Sequence, residues 1–418
     1  MEYADQLEID LRAGLAHARR ETGKPAWVQL SEIARLALGG THIAPGDYYL
    51  YRLYDDALHD WPSKRRFVGD RRRADVNRRV INAHWFALAE DKLASATLLE
   101  RHGIPTPATR AVFHPTRWHA DAEPLESGEA LAAWLRTTDA LPLFAKPIWG
   151  LQGRGAVWIE RFDAGDDALV LRGGERVAPE VLAERFERAL APLPAVTAAT
   201  RGYVLQDVVR QHPEVVRRCG ESVGCVRLIV GVEGGRATLL ASAWKIAAPH
   251  HVADSFRRAG NLLAALDGDK GTLTRVIVRS GLEERELADN PYTGERLLGW
   301  SLPHFAEARE LVLRGARLLP EVRLQGWDVA IAPEGPVVIE LNPGSAFSLA
   351  QLASGEGFWT DAFDAFVARA TRANPTRPRG LRRLAPTGHP LGRLHGVWRL
   401  LRSLATRRRD AEDGPCAS

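Results

Sequence analysis

Cysteine is nearly absent from this chain: three residues in 418, Cys219, Cys225 and Cys416. They have no CxxC spacing and no even count, which excludes a disulfide-stapled scaffold and a cysteine zinc site. No run approaches the roughly 18 to 20 apolar residues that a helix needs to cross a bilayer. The opening MEYADQLEID is too acidic and polar for a secretory signal. These shortages make a reduced, cytoplasmic protein the expectation. Lysine is scarce too. Of 56 Lys plus Arg only six are Lys, at Lys24, Lys64, Lys92, Lys146, Lys245 and Lys270. Arg serves wherever a generic cation will do, so a retained Lys marks a place where a compact ammonium matters.

What is present is ordinary for a soluble globular protein: 45% apolar and 26% charged residues. The length allows two to three domains, a large core and an interdomain cleft. The net charge of +4 hides a split. From Thr371 onward eleven Arg face Asp410, Glu412 and Asp413, a balance of +8, which leaves about −4 for residues 1–370. A mildly acidic body with a basic tail disfavours a nucleic-acid partner.

Residues 1–90 read as a helical N-terminal region, with Ser31 capping the apolar run Ile33 to Leu38. The basic stretch 61–80 reads as a solvated helical face. Asp91 opens a further helix, ended by Gly103, and Gly-Ile-Pro-Thr-Pro leads into a strand. Helices are expected at 127–138, 178–191 and 303–318. Strands are expected at 142–147, 155–160, 202–209, 225–232, 237–247 and 273–279, and a closing hairpin at 327–342. Helices and strands mix without strict alternation and no repeat is evident, so the fold class is α+β. In the tail, Leu391, Leu394, Trp398, Leu401 and Leu404 form a helical stripe flanked by Arg393, Arg399 and Arg402. Such a basic amphipathic helix suits peripheral contact with an anionic membrane or a partner; a helix packed on its own body, or an unstructured end, is the plainer reading.

Four motifs carry chemistry. The first is the hairpin GWDVAIAPEGPVVIELNPG, 326–344. Pro333-Glu334-Gly335 suits a three-residue loop with a G1 bulge. Ala332 then faces Pro336, and counting outward puts Asp328 opposite Glu340, with Asn342 on the same face. Paired carboxylates repel unless a cation lies between them, and hard oxygen donors at this spacing suit Mg²⁺. The second is a strand ending in Lys146, then a turn with Gly150, Gly153 and Gly155, then another strand. Glycines let backbone N–H groups approach phosphates, and Lys146 stands where its ammonium reaches them. The turn fits neither the P-loop nor the dinucleotide fingerprint, because no helix opens on its last glycine. The third is the apolar strand Tyr203-Val204-Leu205-Gln206-Asp207-Val208, able to present its backbone to an adenine edge, with Asp207 or Glu214 accepting from ribose hydroxyls. The fourth places one cation in each of two apolar strands, Arg227 and Lys245. A charge there needs an anionic partner, either a structural carboxylate or a γ-phosphate and the acyl-phosphate made from it.

Taken in order, these residues resemble the ATP-grasp superfamily, and within it most the sugar-transfer-associated ATP-grasp family, related to α-L-glutamate ligases. The resemblance spans roughly residues 85–350. It runs through Asp91-Lys92, the GIPTP run, Lys146-Pro147 with the glycine turn, LQDVVRQHP at 205–213, Ser222 to Arg227, Asp254-Ser255-Phe256 with Gly260, Trp327-Asp328 and Glu340-Leu341-Asn342. It implies an ATP-grasp fold, with two α+β subdomains at 91–200 and 201–371 gripping ATP, a helical region at 1–90 before them and a basic tail at 372–418. It implies that Lys92 and Lys146 bind the α and β phosphates, that the 150–155 turn closes over the triphosphate, and that Gln206 to Val208 form the adenine hinge. Arg227 and Lys245 would face the transferred phosphoryl group, and Asp328, Glu340 and Asn342 would hold Mg²⁺. Two positions depart from the pattern. The hinge acid, usually Glu, is Asp207, and Asp-Asn-Phe…Gly-Gly reads Asp254-Ser255-Phe256…Ala259-Gly260 on the acceptor side.

The expected reaction is phosphoryl transfer from ATP to a carboxylate, then attack by an amine on the acyl-phosphate, with small-molecule, sugar-linked carboxylate and amine co-substrates in polysaccharide or sugar-conjugate synthesis. Two rival readings stand beside it: a non-catalytic ATP-binding protein tethered by its tail to a membrane polysaccharide assembly, and a small-molecule kinase.

Overall fold

The structure is a computed structural model and describes residues 6–150, 153, 155–190, 202–251 and 254–376. The chain divides into two units, Met1–Pro375 and Thr376–Ser418. The helix expected at 391–405, and Leu151, Gln152 and Arg154 of the glycine turn, lie outside the described residues.

The N-terminal region is helical as its pattern predicts. It comprises α1 Leu11–Thr22, α2 Ala26–Leu38, α3 Pro45–Leu50, α4 Trp61–Lys64, α5 Asp70–Val80 and α6 Ala83–Glu90. Asp10 caps α1 by accepting from the N–H groups of Arg12 and Ala13. Ser31 does not cap α2. That helix starts after Pro25, whose ring fixes φ at −64° with ψ extended at 148°. Ser31 lies inside it and its hydroxyl donates back to Val28 O at 2.8 Å. Helix α7, Lys92–Arg101, follows with Asp91 as its cap.

The first sheet is built from β1 Thr109–Phe113, β2 Glu123–Leu125, β3 Leu143–Pro147, β4 Val157–Asp163, β5 Ala168–Leu171, β6 Arg176–Val177 and β7 Tyr203–Asp207. Its order is β2-β1-β7-β3-β4-β5-β6, with α8 Gly128–Thr137 and α9 Pro179–Leu190 in the connections. After α10 Pro213–Cys219 comes the second sheet: β8 Cys225–Glu233, β9 Arg236–Ile246, β10 Leu262–Leu266, β11 Leu273–Ser280, β12 Glu283–Glu286, then α11 Phe305–Ala316, β13 Leu324–Ala332 and β14 Gly335–Pro343. Its order is β12-β11-β10-β9-β8-β13-β14, antiparallel at every pairing. Helices α12 Phe347–Ser354 and α13 Asp361–Ala373 end the described chain; neither is expected from the motifs above.

Period two sorts the second sheet's side chains onto two faces. One face, with Val226, Leu228, Trp244 and Trp327, is covered by α11. The other carries Ala243, Leu263, Ala265 and Ile277. It packs against Tyr48, Tyr49 and Leu53 of the N-terminal region and Leu352 of α12. The N-terminal helices are therefore part of the same core as the second sheet. Among the described residues no helix is long and apolar enough to cross a membrane.

The closing hairpin corrects one expectation and keeps another. Ala332 faces Gly335 rather than Pro336, so the turn holds only Pro333 and Glu334. The extra residue sits further along. The register shifts between Val329↔Val338 and Asp328↔Glu340, making Ile339 a β-bulge. Moving that residue from turn to strand leaves Asp328 opposite Glu340 as expected.

Candidate active site

Helix α7 starts at the site because Asp91 holds it there. Its carboxylate accepts from Ala94 N–H at 2.9 Å and makes a two-pronged pair with Arg117, at 2.7 and 2.9 Å. Lys92 in the first turn then reaches in two directions. Its Nζ donates to Gly150 O at 2.8 Å and stands 3.1 Å from Glu340 Oε1. Gly153 and Gly155 of the same turn have φ of 67° and 74°, a left-handed conformation that favours glycine.

Lys146 lies near the end of β3 and is buried, 8% exposed. Its Nζ donates across to Ile339 O at 3.0 Å. This is the bulge residue: a bulge leaves one residue unpaired in the ladder, and here its carbonyl takes an ammonium from the opposite sheet. Burial, only partly offset by Glu340, brings the Lys146 ammonium down to about 8.

Four strands of the second sheet set up a row. Ala243, Arg227, Asp328 and Glu340 are paired in register across β9, β8, β13 and β14, so they share a face, and Lys245 and Asn342 follow on it at period two. Arg227 donates Nε to Asp328 Oδ1 at 2.7 Å and Nη2 to Oδ2 at 2.8 Å. Lys245 Nζ stands 3.2 Å from Asp328 Oδ2 and 3.2 Å from Asp254. Asp254 also accepts from Cys225 N–H at 2.8 Å. All four charges are buried or nearly so. Desolvation opposes the Asp328 charge, but Arg227 and then Lys245 outweigh it and hold the carboxyl well below the usual range. Desolvation likewise opposes the cations; Asp328 raises Arg227, and Asp254 with Asp328 raises Lys245.

Oxygen donors for a hard cation are therefore unequal. Glu340 and Asn342 fit Mg²⁺: both carry side-chain oxygens, Glu340 is partly exposed beside the cleft, and among the described residues the Asn342 side chain makes only a long 3.4 Å bond, from Nδ2 to Gly326 O, which leaves its Oδ1 available. Asp328 stands opposite Glu340, yet its oxygens already serve Arg227 and Lys245. Among the described residues no group of three His, Cys, Asp or Glu is placed to hold a metal.

The hinge residues are placed differently from one another. β7 is hydrogen-bonded on both edges, to β1 and β3, and Asp207 N–H goes to Ala108 O at 2.9 Å. Free backbone for an adenine edge therefore begins at Val208, just past the strand. The Gln206 side chain is buried and donates to Pro107 O and Thr109 Oγ1, both at 3.2 Å. Asp207 is clamped by Arg110 at 2.7 Å through both oxygens, and Glu214 pairs with Arg217 and Arg218 on α10.

Lys92, Lys146, Gln206 and Glu340 line one narrow cleft of about 10 Å³ between the two sheets, with Pro107, Val338 and Leu341 among its apolar walls. That is far below the roughly 300 Å³ of small-molecule pockets, so a nucleotide fits there only once the two walls part. Sequence reasoning missed Arg117, which fixes α7, and gave Asp254 no part in the charge network. Asp254 sat in a quoted run, but nothing in the sequence says that its carboxylate meets a lysine nine residues earlier.

The chain is similar to several solved structures. The biotin carboxylase of Campylobacter jejuni, solved as a β-γ-ATP complex, is 11% identical; the match covers 69% of this chain and 47% of that one, with a TM-score of 0.38. The L-amino acid ligase of Bacillus licheniformis is 12% identical over 64% of this chain and 45% of that one, TM-score 0.34. The matches thus span about half the length of these proteins. No curated protein matches. The family model for sugar-transfer associated ATP-grasp proteins matches residues 71–364, well over half of the sequence and all of the site just described. The chain belongs to the sugar-transfer associated ATP-grasp family.

Proposed function

We propose that the protein is an ATP-dependent ligase that activates a carboxylate as an acyl-phosphate for attack by an amine. One observation carries this reading. Cations from α7 and the first sheet meet oxygen donors of the second sheet in a single cleft: Lys92 on Glu340, and Lys146 on the bulge carbonyl of Ile339. Around the cleft and the adjoining row, Lys92, Lys146, Arg227 and Lys245 stand with Glu90, Asp254, Asp328 and Glu340, so the placing of the cations, not a net positive charge, is what suits a triphosphate.

In this reading Lys92 and Lys146 hold the phosphates, and the 150–155 turn covers them. Arg227 and Lys245 stabilise charge on the γ-phosphoryl group as a carboxylate oxygen attacks its phosphorus and ADP leaves. Asp328 keeps those two cations charged and aimed. The amine then attacks the acyl carbon, loses a proton and displaces phosphate. Glu340 and Asn342 would hold Mg²⁺, which neutralises phosphate charge when bound. Water must be kept out, because an acyl-phosphate hydrolyses readily.

The finer reading makes the co-substrates sugar-linked, in polysaccharide or sugar-conjugate synthesis in the cytoplasm, with the basic tail as a peripheral membrane contact and no nucleic-acid partner. The family's description supports the sugar link. The experiment is an ADP-release screen over pairs of amino acids, uronic acids and amino sugars, followed by mass analysis. The expected result is ADP release that needs both a carboxylate and an amine and yields their amide, abolished in Glu340→Ala. A phosphorylated hydroxyl product would select a kinase instead. ATP binding with no ADP release for any pair would select a non-catalytic binding protein.

A further inference from the structure

A second cavity, of about 300 Å³, lies apart from the cleft. That is the size at which small-molecule sites begin. Strand register places it. Arg227, Ala243, Ala265 and Arg275 are paired across β8, β9, β10 and β11, so Arg275 stands on the same face of the second sheet as the charged row. Three strand spacings, about 14 Å, separate it from Arg227. Glu284 and Glu286 on β12 pair with Arg279 and Ile277 and share that face. The remaining wall comes from Leu50, Arg52, Leu58 and Phe67 of the N-terminal region and from Glu356 just past α12.

The floor of the cavity is fixed and most of its charge is spent. Arg275 donates to Glu286 Oε1 at 2.6 Å, to Glu284 Oε1 at 2.7 Å, and to the carbonyls of Leu352 and Ala353 at 2.8 and 3.1 Å. Glu284 Oε2 accepts from Arg279 at 2.8 Å. The groups left over are of both signs. Glu356 is exposed, and among the described residues its carboxylate has no hydrogen-bond or ion-pair partner. The second oxygen of Glu286 is likewise unspent. Arg52 meets Asp55 only at a long 3.5 Å and also touches the Tyr54 hydroxyl, which leaves guanidinium N–H groups over. Its backbone is held at φ of 54°, a left-handed conformation uncommon for a residue with a side chain and one that gathers at ligand clamps. Leu50, Leu58 and Phe67 add an apolar wall. A ligand that meets all three needs an ammonium for the carboxylates, a carboxylate for the guanidinium and an apolar part.

We propose that this cavity is a second ligand site, for a small free amino acid with an apolar side chain. Its ammonium would sit between Glu286 and Glu356, its carboxylate on Arg52 and its side chain against Leu58 and Phe67. The cavity is too far from Arg227 for its occupant to meet an acyl-phosphate there. The site is therefore separate from that of the co-substrates and independent of the ligase reading.

The test is calorimetric titration of the full-length protein with leucine, beside N-acetylleucine, which lacks the ammonium, and isopentylamine, which lacks the carboxylate. The expected result is saturable binding of leucine, weakened by about tenfold or more in each analogue, the scale of a lost hydrogen bond to a charged group. Glu356→Gln, at an exposed position where folding is indifferent to the change, should weaken leucine binding by about tenfold, and Arg52→Gln should do the same. Mg-AMPPNP affinity should stay within about twofold in both variants, and saturating Mg-AMPPNP should leave leucine binding unchanged. Four results would overturn the proposal: wild type binding no leucine, both analogues binding as leucine does, Glu356→Gln binding leucine as wild type does, or Mg-AMPPNP displacing leucine. The ligase reading fails separately, by wild type releasing no ADP.

Discussion

Lys146 makes the sharpest residue-scale statement, because its charge is conditional. Held at about 8 by burial, it is positive below that pH and neutral above. Triphosphate affinity should therefore fall as pH rises above about 8, by up to about tenfold per pH unit. Lys146→Arg, which stays charged throughout, should flatten the profile; titrations of Mg-AMPPNP at several pH values decide, and a flat wild-type profile would refute the assignment. Stability moves the other way. Between about 8 and the ordinary 10.5 the unfolded chain holds a proton that the fold has lost, so this group's contribution to stability rises with pH there. Asp328 and Glu340 separate in the same manner. Asp328→Asn leaves Arg227 and Lys245 buried without their shared partner and should cost about 3–5 kcal/mol in urea unfolding. Glu340→Gln breaks a partly exposed pair with Lys92 and should cost at most about 1 kcal/mol, although both variants should lose turnover. Equal stability losses would show that Asp328 is no more structural than Glu340. Five of the six lysines fit the reading drawn from their shortage: Lys24, Lys64, Lys146 and Lys245 are buried and Lys92 nearly so, each with an oxygen partner, whereas Lys270 is exposed and does not.

At the scale of elements, the bulge in β14 does two things. It restores Asp328 to Glu340, and it releases the Ile339 carbonyl to Lys146. Deleting Ile339 should give a regular ladder that still pairs Asp328 with Glu340 but lacks that carbonyl. The expected outcome is a folded protein with Mg-AMPPNP affinity lowered by about tenfold, the scale of one hydrogen bond to a charged group; unchanged affinity would show that the carbonyl is incidental. This bulge also marks where the sequence stops being legible. Alternation in WDVAIA and VVIEL reveals the hairpin and its facing acids, because period two survives without tertiary information. The place of the extra residue is invisible, because a Pro-Glu-Gly turn accommodates either count and only Lys146 and Pro105, arriving from elsewhere, discriminate. Helix α2 was misread at its start for a related reason: Ser is a good cap in isolation, but Pro25 begins the helix earlier. The hinge acid Asp207 looked free in sequence because Arg110, its clamp, lies across the sheet on β1.

Across the whole molecule, the matched family region begins at residue 71, yet the core does not. Tyr48, Tyr49 and Leu53 pack on Ala243, Leu263 and Ile277 of the second sheet. Behind them Lys24 and Lys64 share Glu32 and Asp56. Removing residues 1–69 should therefore expose one face of that sheet and give an insoluble or unfolded product in a solubility and circular-dichroism comparison; a soluble, folded, ATP-binding fragment would refute the shared core. A milder probe is Gly14→Ala, whose Cβ would come within 2.3 Å of the Tyr49 ring; overpacking of this kind should lower stability by about 1–3 kcal/mol. The architecture brings two sheets together so that ammonium groups on one side meet oxygen donors on the other, and the function proposed depends on a triphosphate fitting between them. The most direct test is calorimetric titration of Mg-AMPPNP into wild type and into the double variant Lys92→Met, Lys146→Met. The account predicts saturable binding to wild type and a loss of at least about a hundredfold in the variant, the scale of two charge-assisted hydrogen bonds. No binding to wild type, or equal binding to both, would contradict it.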